Sequence, residues 1–220
     1  MVNEGAGARL LPMGERAVLV ELASLAGVLA LAGALQAARP PGVVDLVPAA
    51  RTVLVQVDPA VLTLAQARAW IERVAAGERP GGAGGAHPPA APARSHVIDV
   101  RYDGPDLAAV AAALGLAPGE LVARHTAADW RVAFTGFAPG FGYLISPQWP
   151  FDVPRLPAPR TAVPEGALGL AAEFSGVYPR RTPGGWQLIG TAATRMFDPL
   201  AAEPALLAPG DLVRFRAVGT

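Results

Sequence analysis

Two arginines stand in a proline-rich segment, VPRLPAPRTAVPEG, where Arg155 and Arg160 each follow a proline directly. Proline fixes part of the backbone, so less conformational entropy is lost when a neighbouring arginine binds a ligand. A guanidinium can hold a carboxylate or a phosphate through two parallel hydrogen bonds. The segment therefore favours an anion-binding site, and solvated arginines at proline-rich corners of a barrel are the open alternative.

A second segment, FTGFAPGFGYL, spans Phe134 to Leu144 and contains three glycines, one proline and four aromatic residues. Glycine and proline disfavour helices and strands, so this composition predicts a loop. The segment lacks the lysine and the following helix of a phosphate-binding loop. We expect it to form one wall of a ligand groove, with the backbone between Gly136 and Gly142 close to the ligand and the rings excluding water.

Further candidates lie in the segment SGVYPRRTPGGWQLIG and at one histidine. The segment adds Tyr178, Thr182 and the turn 184–186 to the predicted groove. His125 lies at the end of a predicted short helix, where packing, an interaction with the helix dipole and a role as general base all remain open. The chain has three histidines and no cysteine, and no metal-ligand cluster is predicted.

The composition excludes several classes of function. The formal net charge of +0 argues against a surface for nucleic acid or an anionic membrane. The absence of cysteine excludes thiol catalysis, and the absence of lysine excludes a P-loop lysine and a Schiff base. The sequence has no secretion signal and no apolar stretch long enough to span a bilayer. We therefore expect a cytoplasmic protein that binds neither nucleic acid nor a membrane.

The first third of the chain predicts a small α+β domain. RAVLVEL is a strand, Ser24 begins a helix, and GVVDLVPAARTVLVQVDP forms two strands around a turn at Pro48. Thr63 and Gln66 form a capping box at the start of a second helix. The order strand, helix, strand, strand, helix predicts a ferredoxin-like domain over residues 1–77.

The remaining sequence predicts a linker and a β-rich domain. Glycine, proline and alanine dominate residues 78–95, which is typical of a linker. Residues 96–220 begin with a strand and two short helices, HVIDVRY, GPDLAAVAAALGL and PGELVARHT. From Trp130 onward, short apolar runs alternate with proline and glycine, and this pattern predicts a mainly-β barrel or sandwich.

Several segments occur in the order seen in one bacterial protein family. They are YDGPDL, GFAPGFGYL, two PR dipeptides, VPEG, GVYPRRTPGGWQLIG, FDP and LLAPGDLVRF. From about Asp45 to Phe215 the chain resembles the family of the 5-oxoprolinase B subunit, also called allophanate hydrolase subunit 1 or the Kip-type kinase inhibitor family. The GFxPGF and TPGGWxxIG patterns are specific to it.

The resemblance implies a fold and an activity. Members join a small N-terminal α/β domain to a C-terminal cyclophilin-like β-barrel. The B subunit pairs with a homologous C subunit. Together with an A subunit, they open the lactam of 5-oxoproline to glutamate at the expense of ATP. The resemblance implies that this chain shares ATP binding with its partner subunits. Other members imply two alternatives: a non-catalytic module that inhibits a histidine kinase, and a carboxyltransferase component acting on urea or a related amide.

The motifs also assign site residues. We predict catalytic roles for His125, Arg155 and Arg160. The predicted substrate-binding residues are Gly136, Phe137, Pro139, Gly140, Phe141, Tyr178, Thr182, Gly184, Gly185 and Trp186. Three positions depart from the family pattern, since Ile145 and Ser146 replace a glycine pair and Phe174 replaces a glutamine. These departures lie in the predicted groove and would alter the substrate that it accepts.

Overall fold

The computed structural model describes residues 8–78 and 93–219. The chain divides into two compact units, Met1–Ala91 and Pro92–Thr220, and each has its own hydrophobic core. Most of the predicted linker, residues 78–95, lies outside the described residues, so the predicted domain boundaries stay a prediction.

The first unit is a four-stranded antiparallel sheet with two helices. Its elements are β1 (Arg9–Pro12), β2 (Ala17–Glu21), α1 (Leu25–Ala37), β3 (Val43–Pro48), β4 (Thr52–Val57) and α2 (Leu64–Ala75). The strands are arranged in the order β1-β2-β4-β3. Residues 8–78 thus run ββαββα, whereas a ferredoxin-like domain runs βαββαβ. The sequence did not reveal the edge strand β1, and the ferredoxin-like assignment stays a prediction.

Both helices of this unit begin at the predicted caps. The backbone N–H of Gly27 donates to Oγ of Ser24 at 3.2 Å. Thr63 and Gln66 form the capping box, in which each side chain binds the backbone N–H of the other. Caps satisfy N–H groups that have no partner inside the helix, which is why local sequence locates these helix starts well.

The second unit contains a closed barrel and two short helices. Its elements are β5 (Ser95–Arg101), α3 (Leu107–Ala113), α4 (Pro118–Ala127), β6 (Trp130–Thr135), β7 (Gly142–Ile145), β8 (Arg160–Val163), β9 (Ala167–Ala171), β10 (Phe174–Val177), β11 (Thr182–Gly184), β12 (Gln187–Ala192) and β13 (Leu212–Ala217). No single helix within the described ranges is long and apolar enough to cross a membrane; α3 and α4 reach that length only together, and a bend of 89° separates them.

Seven strands close the barrel in the order β10-β7-β6-β13-β5-β12-β9, and this confirms the predicted barrel. The pair β5 and β13 is parallel, and the other neighbouring pairs are antiparallel. Strands β8 and β11 form a separate two-stranded sheet, in which Gly184 lies opposite Arg160. The end of the segment FTGFAPGFGYL is strand β7 rather than loop, because Tyr143 and Leu144 pair with β6.

Asp211, in the segment LLAPGDLVRF, anchors the start of β13. Its carboxylate accepts hydrogen bonds from the backbone N–H groups of Arg94 and Ala208, both at 2.9 Å, and lies 3.1 Å from Nε2 of His96. Burial alone would raise the pKa of Asp211, but these donors and the Arg94 guanidinium outweigh it, and the pKa is lowered. The buried carboxylate therefore connects the residues before β13 to the beginning of β5.

We expect Asp211→Ala to lower the free energy of unfolding by about 3 kcal/mol, because it removes the shared acceptor of several donors. Denaturation by urea measures this loss. Asp99→Ala is the matched control: it breaks an exposed ion pair between Asp99 and Arg216 on the same two strands, and such pairs contribute little. Equal losses in the two variants would contradict the anchoring role.

Candidate functional site

Seven aromatic rings pack together, four of them from the segment FTGFAPGFGYL, and we call them the aromatic layer. They are Phe134, Phe137, Phe141, Tyr143, Phe174, Tyr178 and Trp186. Contacting ring centroids lie between 4.4 and 6.5 Å apart, mostly edge to face. Such packing is favourable beyond the burial of apolar area. Phe174, which replaces the glutamine of the family pattern, contributes one of these rings.

The rings lie directly against the backbone of β9 and β10. A Cβ added at Gly176 would lie 2.9 Å from Cζ of Phe141 and 3.2 Å from Cζ3 of Trp186. A Cβ added at Gly169 would lie 3.1 Å from Cβ of Trp186. Real Cβ atoms rarely approach other carbons this closely, so these two glycines are required for the rings to reach the sheet.

The loop between β6 and β7 has an unusual backbone. Phe137 has φ of 67° and Gly140 has φ of 83°. The left-handed region is unfavourable for a residue with a side chain, and residues held there are common at functional sites. Phe137 is nevertheless 59% exposed. Within the described part of the chain, the backbone N–H groups of Phe137 and Gly140 donate to no acceptor.

The same loop lines an open apolar cavity of about 480 Å³. The lining residues are Thr135, Gly136, Phe137, Ala138, Pro139, Gly140, Ala205, Leu207, Ala208 and Pro209. Four of the predicted substrate-binding residues, Gly136, Phe137, Pro139 and Gly140, therefore lie at this cavity. Phe137 is shared, because its ring also contacts Phe141 in the aromatic layer.

Arg155 lies next to the turn 184–186. The N–H of Leu156 donates to the carbonyl oxygen of Gly185 at 2.8 Å, which fixes the backbone beside Arg155. Arg155 is exposed, and its guanidinium makes no ion pair or hydrogen bond with a described residue. Its charge is available to a ligand.

Arg160 has a different environment. Its Nη2 donates to both carboxylate oxygens of Asp106, at 2.7 and 2.8 Å, and its Nη1 donates to the carbonyl oxygen of Trp186 at 3.3 Å. Asp106 also accepts the N–H of Leu188 at 2.6 Å. The Arg160 guanidinium therefore connects β8, the start of α3 and β12, and its strongest donors are already used.

The segment around Tyr178 contributes two rings to the aromatic layer, those of Tyr178 and Trp186. Tyr178 is buried, and a Cβ at Gly184 would lie 2.5 Å from its hydroxyl oxygen. Thr182 does not face outward as a free donor, because its hydroxyl donates to the carbonyl oxygen of Pro183 at 2.8 Å.

His125 lies in the core of the second unit and is fully buried. Its Nδ1 is 2.8 Å from the hydroxyl oxygen of Tyr102, and its Nε2 is 2.9 Å from Oγ of Ser175. The ring packs among three aromatic side chains, those of Trp130, Trp149 and Phe215. Burial lowers the pKa of His125 from 6.5 to about 3. The imidazole is therefore neutral at physiological pH and donates at one nitrogen while accepting at the other.

Four residues with clear partners were missed by sequence reasoning. Asp106 holds Arg160, Tyr102 and Ser175 hold His125, and Tyr143 joins the aromatic layer. Asp106 lies in the motif YDGPDL and Tyr143 in GFGYL, so the motifs contained a signal for both. Ser175 had none, since its partner is 50 positions away in the chain.

The positions that depart from the family pattern have structural partners. Ile145 ends β7 and pairs with Arg131. Ser146 is buried, and its Oγ accepts the N–H of Gln148 at 3.2 Å. The two side chains thus lie in the strand end and the turn that follow the glycine-rich loop.

Comparison with known proteins gives consistent likenesses. Residues 8–207 match the family described as carboxyltransferase domain, subdomain C and D. The 5-oxoprolinase B subunit of Escherichia coli O157:H7 is 50% identical over 112 residues, which cover 51% of this chain and 51% of that relative. The match thus spans about half the length of the relative.

Two solved structures show the same fold. The protein TTHA0988 superimposes with a TM-score of 0.71 at 35% identity, covering 93% of this chain and 40% of that one. The urea amidolyase of K. lactis superimposes with a TM-score of 0.76 at 15% identity, covering 99% of this chain and 15% of that one. At so low an identity, the second likeness concerns the fold alone.

We expect His125→Gln to weaken the pH dependence of unfolding below pH 6.5. In the wild type, the unfolded chain binds a proton at His125 near pH 6.5, but the folded chain does so only near pH 3, because burial lowers the pKa. The free energy of unfolding therefore falls as the pH drops through this window, by at most about 1.4 kcal/mol per pH unit. Glutamine can donate and accept like neutral histidine but does not titrate. Denaturation from pH 7 to 4 measures the free energy of unfolding of both proteins. If this free energy changes with pH equally in both, His125 is not a buried, neutral residue in the folded protein.

Proposed function

The chain belongs to the family of carboxyltransferase domains, subdomain C and D, and we propose that it acts as the B subunit of a 5-oxoprolinase. This enzyme opens 5-oxo-L-proline to L-glutamate at the expense of ATP. The observation that carries the proposal is the 50% identity over 112 residues to the 5-oxoprolinase B subunit of Escherichia coli O157:H7. Because that match spans about half of the relative, the reaction and the partners of the whole protein belong to the proposal.

The proposed assembly contains a homologous C subunit and an A subunit, since the bacterial relative is itself one component of a multisubunit enzyme. Phosphate sites that use ATP commonly combine a lysine with carboxylates that hold Mg²⁺. This chain has no lysine, and residues 8–78 and 93–219 contain no cluster of three His, Asp or Glu side chains. Because this chain offers no lysine for the phosphates, we propose that it shares ATP binding with the partner subunits.

The chemistry of lactam opening sets what this subunit must provide. A lactam is an amide and a poor electrophile, and negative charge develops on its oxygen during attack. Fixed donors in a site from which water is excluded stabilise that charge best. We assign this role to the N–H groups of Phe137 and Gly140, with the aromatic layer as the apolar surface beside them.

We assign indirect roles to the other two predicted catalytic residues. Arg160 is held by Asp106 and so orients β8 and β12 around the turn 184–186. His125 is buried and acts through Ser175, which lies on β10 between Phe174 and Gly176. Both residues therefore position the backbone beneath the aromatic layer, and Arg155 is the cation that contacts the ligand.

A non-catalytic binding module is the second candidate function, and Phe137 favours it. An exposed aromatic ring on a left-handed backbone is costly for the free protein, but a ring of this kind can anchor a partner. Binding to a histidine kinase that is lost in Phe137→Ala, together with no turnover by the assembled subunits, would support this function. Carboxyl transfer to urea or a related amide is tested with urea as substrate in the same assay.

We expect Arg155→Ala to lower the rate of ATP-dependent glutamate formation from 5-oxo-L-proline by about 100-fold in the reconstituted assembly, because a charge-assisted contact to substrate is lost. Arg181→Ala is the matched control, since Arg181 is another exposed arginine, and it should retain the wild-type rate. Full activity of Arg155→Ala would show that Arg155 makes no contact with the substrate that the reaction needs. No turnover by the wild-type assembly would rule out the proposed function.

A further inference from the structure

The backbone next to Arg155 and the rings of Tyr143 and Tyr178 meet at the turn 184–186, and three observations define this arrangement. Leu156, which follows Arg155, donates to the carbonyl oxygen of Gly185 at 2.8 Å. Gly184, on one side of Gly185, lies against the hydroxyl of Tyr178, since its Cβ would be 2.5 Å from that oxygen. Trp186, on the other side, packs on the ring of Tyr143, with 5.5 Å between the centroids. The charge of Arg155 also acts to lower the pKa of both tyrosines, so this turn brings a cation and two phenols into one neighbourhood.

Both hydroxyls are hydrogen-bond donors at physiological pH. Burial raises the pKa of Tyr143, and the charge of Arg155 offsets only part of the rise. Burial also raises the pKa of Tyr178, against smaller opposing effects that include the N–H of Trp186 and the charge of Arg155. The Tyr143 hydroxyl has no hydrogen-bond partner within the described ranges.

An anionic ligand suits these groups better than a neutral one. A carboxylate accepts two parallel hydrogen bonds from a guanidinium and retains lone pairs for two O–H donors. The half-buried ring of Tyr143 supplies an apolar surface there, and the buried rings of Phe141 and Trp186 pack against it from inside. A neutral amide placed there would leave the Arg155 charge without a partner, and a site that leaves polar groups unpaired discriminates strongly.

We propose that Arg155 and Tyr143 form a carboxylate-binding subsite, with the buried ring of Tyr178 packed behind it, and that this subsite selects acids over the corresponding neutral amides. The proposal deepens the proposed function and rests on it for the natural ligand, 5-oxo-L-proline, whose carboxylate would bind here while its lactam ring lies on the aromatic layer. The subsite also rejects urea, which has no carboxylate. Tyr143 is thereby assigned a role in specificity that its place in the motif GFGYL alone does not reveal.

Matched acid and amide ligands test this subsite on the full chain. The pairs are L-5-oxoproline with L-5-oxoprolinamide, and cyclopentanecarboxylate with cyclopentanecarboxamide; inorganic phosphate is a further probe. Calorimetric or ligand-observed NMR titration gives the dissociation constants. We expect each acid to bind at least about tenfold more tightly than its amide, and Arg155→Gln to reduce that ratio to about one. Tyr143→Phe should reduce it by about threefold, for one lost hydrogen bond.

Arg181→Gln controls for loss of a positive charge from the surface, and its ratio should equal that of the wild type. The proposal is overturned by equal binding of acid and amide, by an unchanged ratio in Arg155→Gln, or by the absence of binding. Phosphate that binds more tightly than either acid would identify a phosphate site and overturn it too. A circular dichroism spectrum and melting curve for each variant separate loss of binding from loss of folding.

The two proposals fail in different ways. If both acids bind more tightly than their amides by the expected ratio but the assembly does not open 5-oxo-L-proline, the subsite is supported and the proposed function is wrong. If the assembly opens 5-oxo-L-proline but acid and amide bind alike, the function stands and the subsite falls. The cyclopentane pair makes this separation possible, because neither compound contains a lactam.

Discussion

The site depends on the contact between aromatic rings and the bare backbone of two barrel strands. Gly176 on β10 and Gly169 on β9 have no side chain, and the rings of Phe141 and Trp186 occupy the space where a Cβ would lie. With those two rings fixed, the glycine-rich loop and the turn 184–186 meet on the same side of the sheet. The closed barrel supplies the rigidity, because its strands have no free edge along which to shift.

Arg155 and Arg160 look equivalent in the sequence, since each follows a proline. Their environments differ, and the different roles that we propose for them follow from this difference. Arg160 is held by Asp106 at two short distances, in a pair that is largely withdrawn from water, so its charge stabilises the fold. Arg155 is exposed and has no acidic partner among the described residues. Under the proposed function, a ligand anion pairs with Arg155 as Asp106 pairs with Arg160.

The sequence predicted those features of the fold that depend on interactions between residues close together in the chain. The helix caps at Ser24 and Thr63 depend on residues three positions away, and the family motifs identified the barrel and its loops. Pairings across the chain had no such signal. Asp106 reaches Arg160 across 54 positions, and Ser175 reaches His125 across 50. A histidine at a helix end can be solvated or buried, and only the packing of the core decides between these. The edge strand β1 was missed because it contains only four residues, RLLP, and ends in a proline.

A crystal structure of the assembled subunits with L-5-oxoproline bound tests the central claim most directly. The account predicts that the ligand carboxylate lies within hydrogen-bond distance of the Arg155 guanidinium and the Tyr143 hydroxyl, with the lactam ring against the aromatic layer. A ligand bound instead in the cavity between residues 135–140 and 205–209, with Arg155 still in solvent, would contradict it.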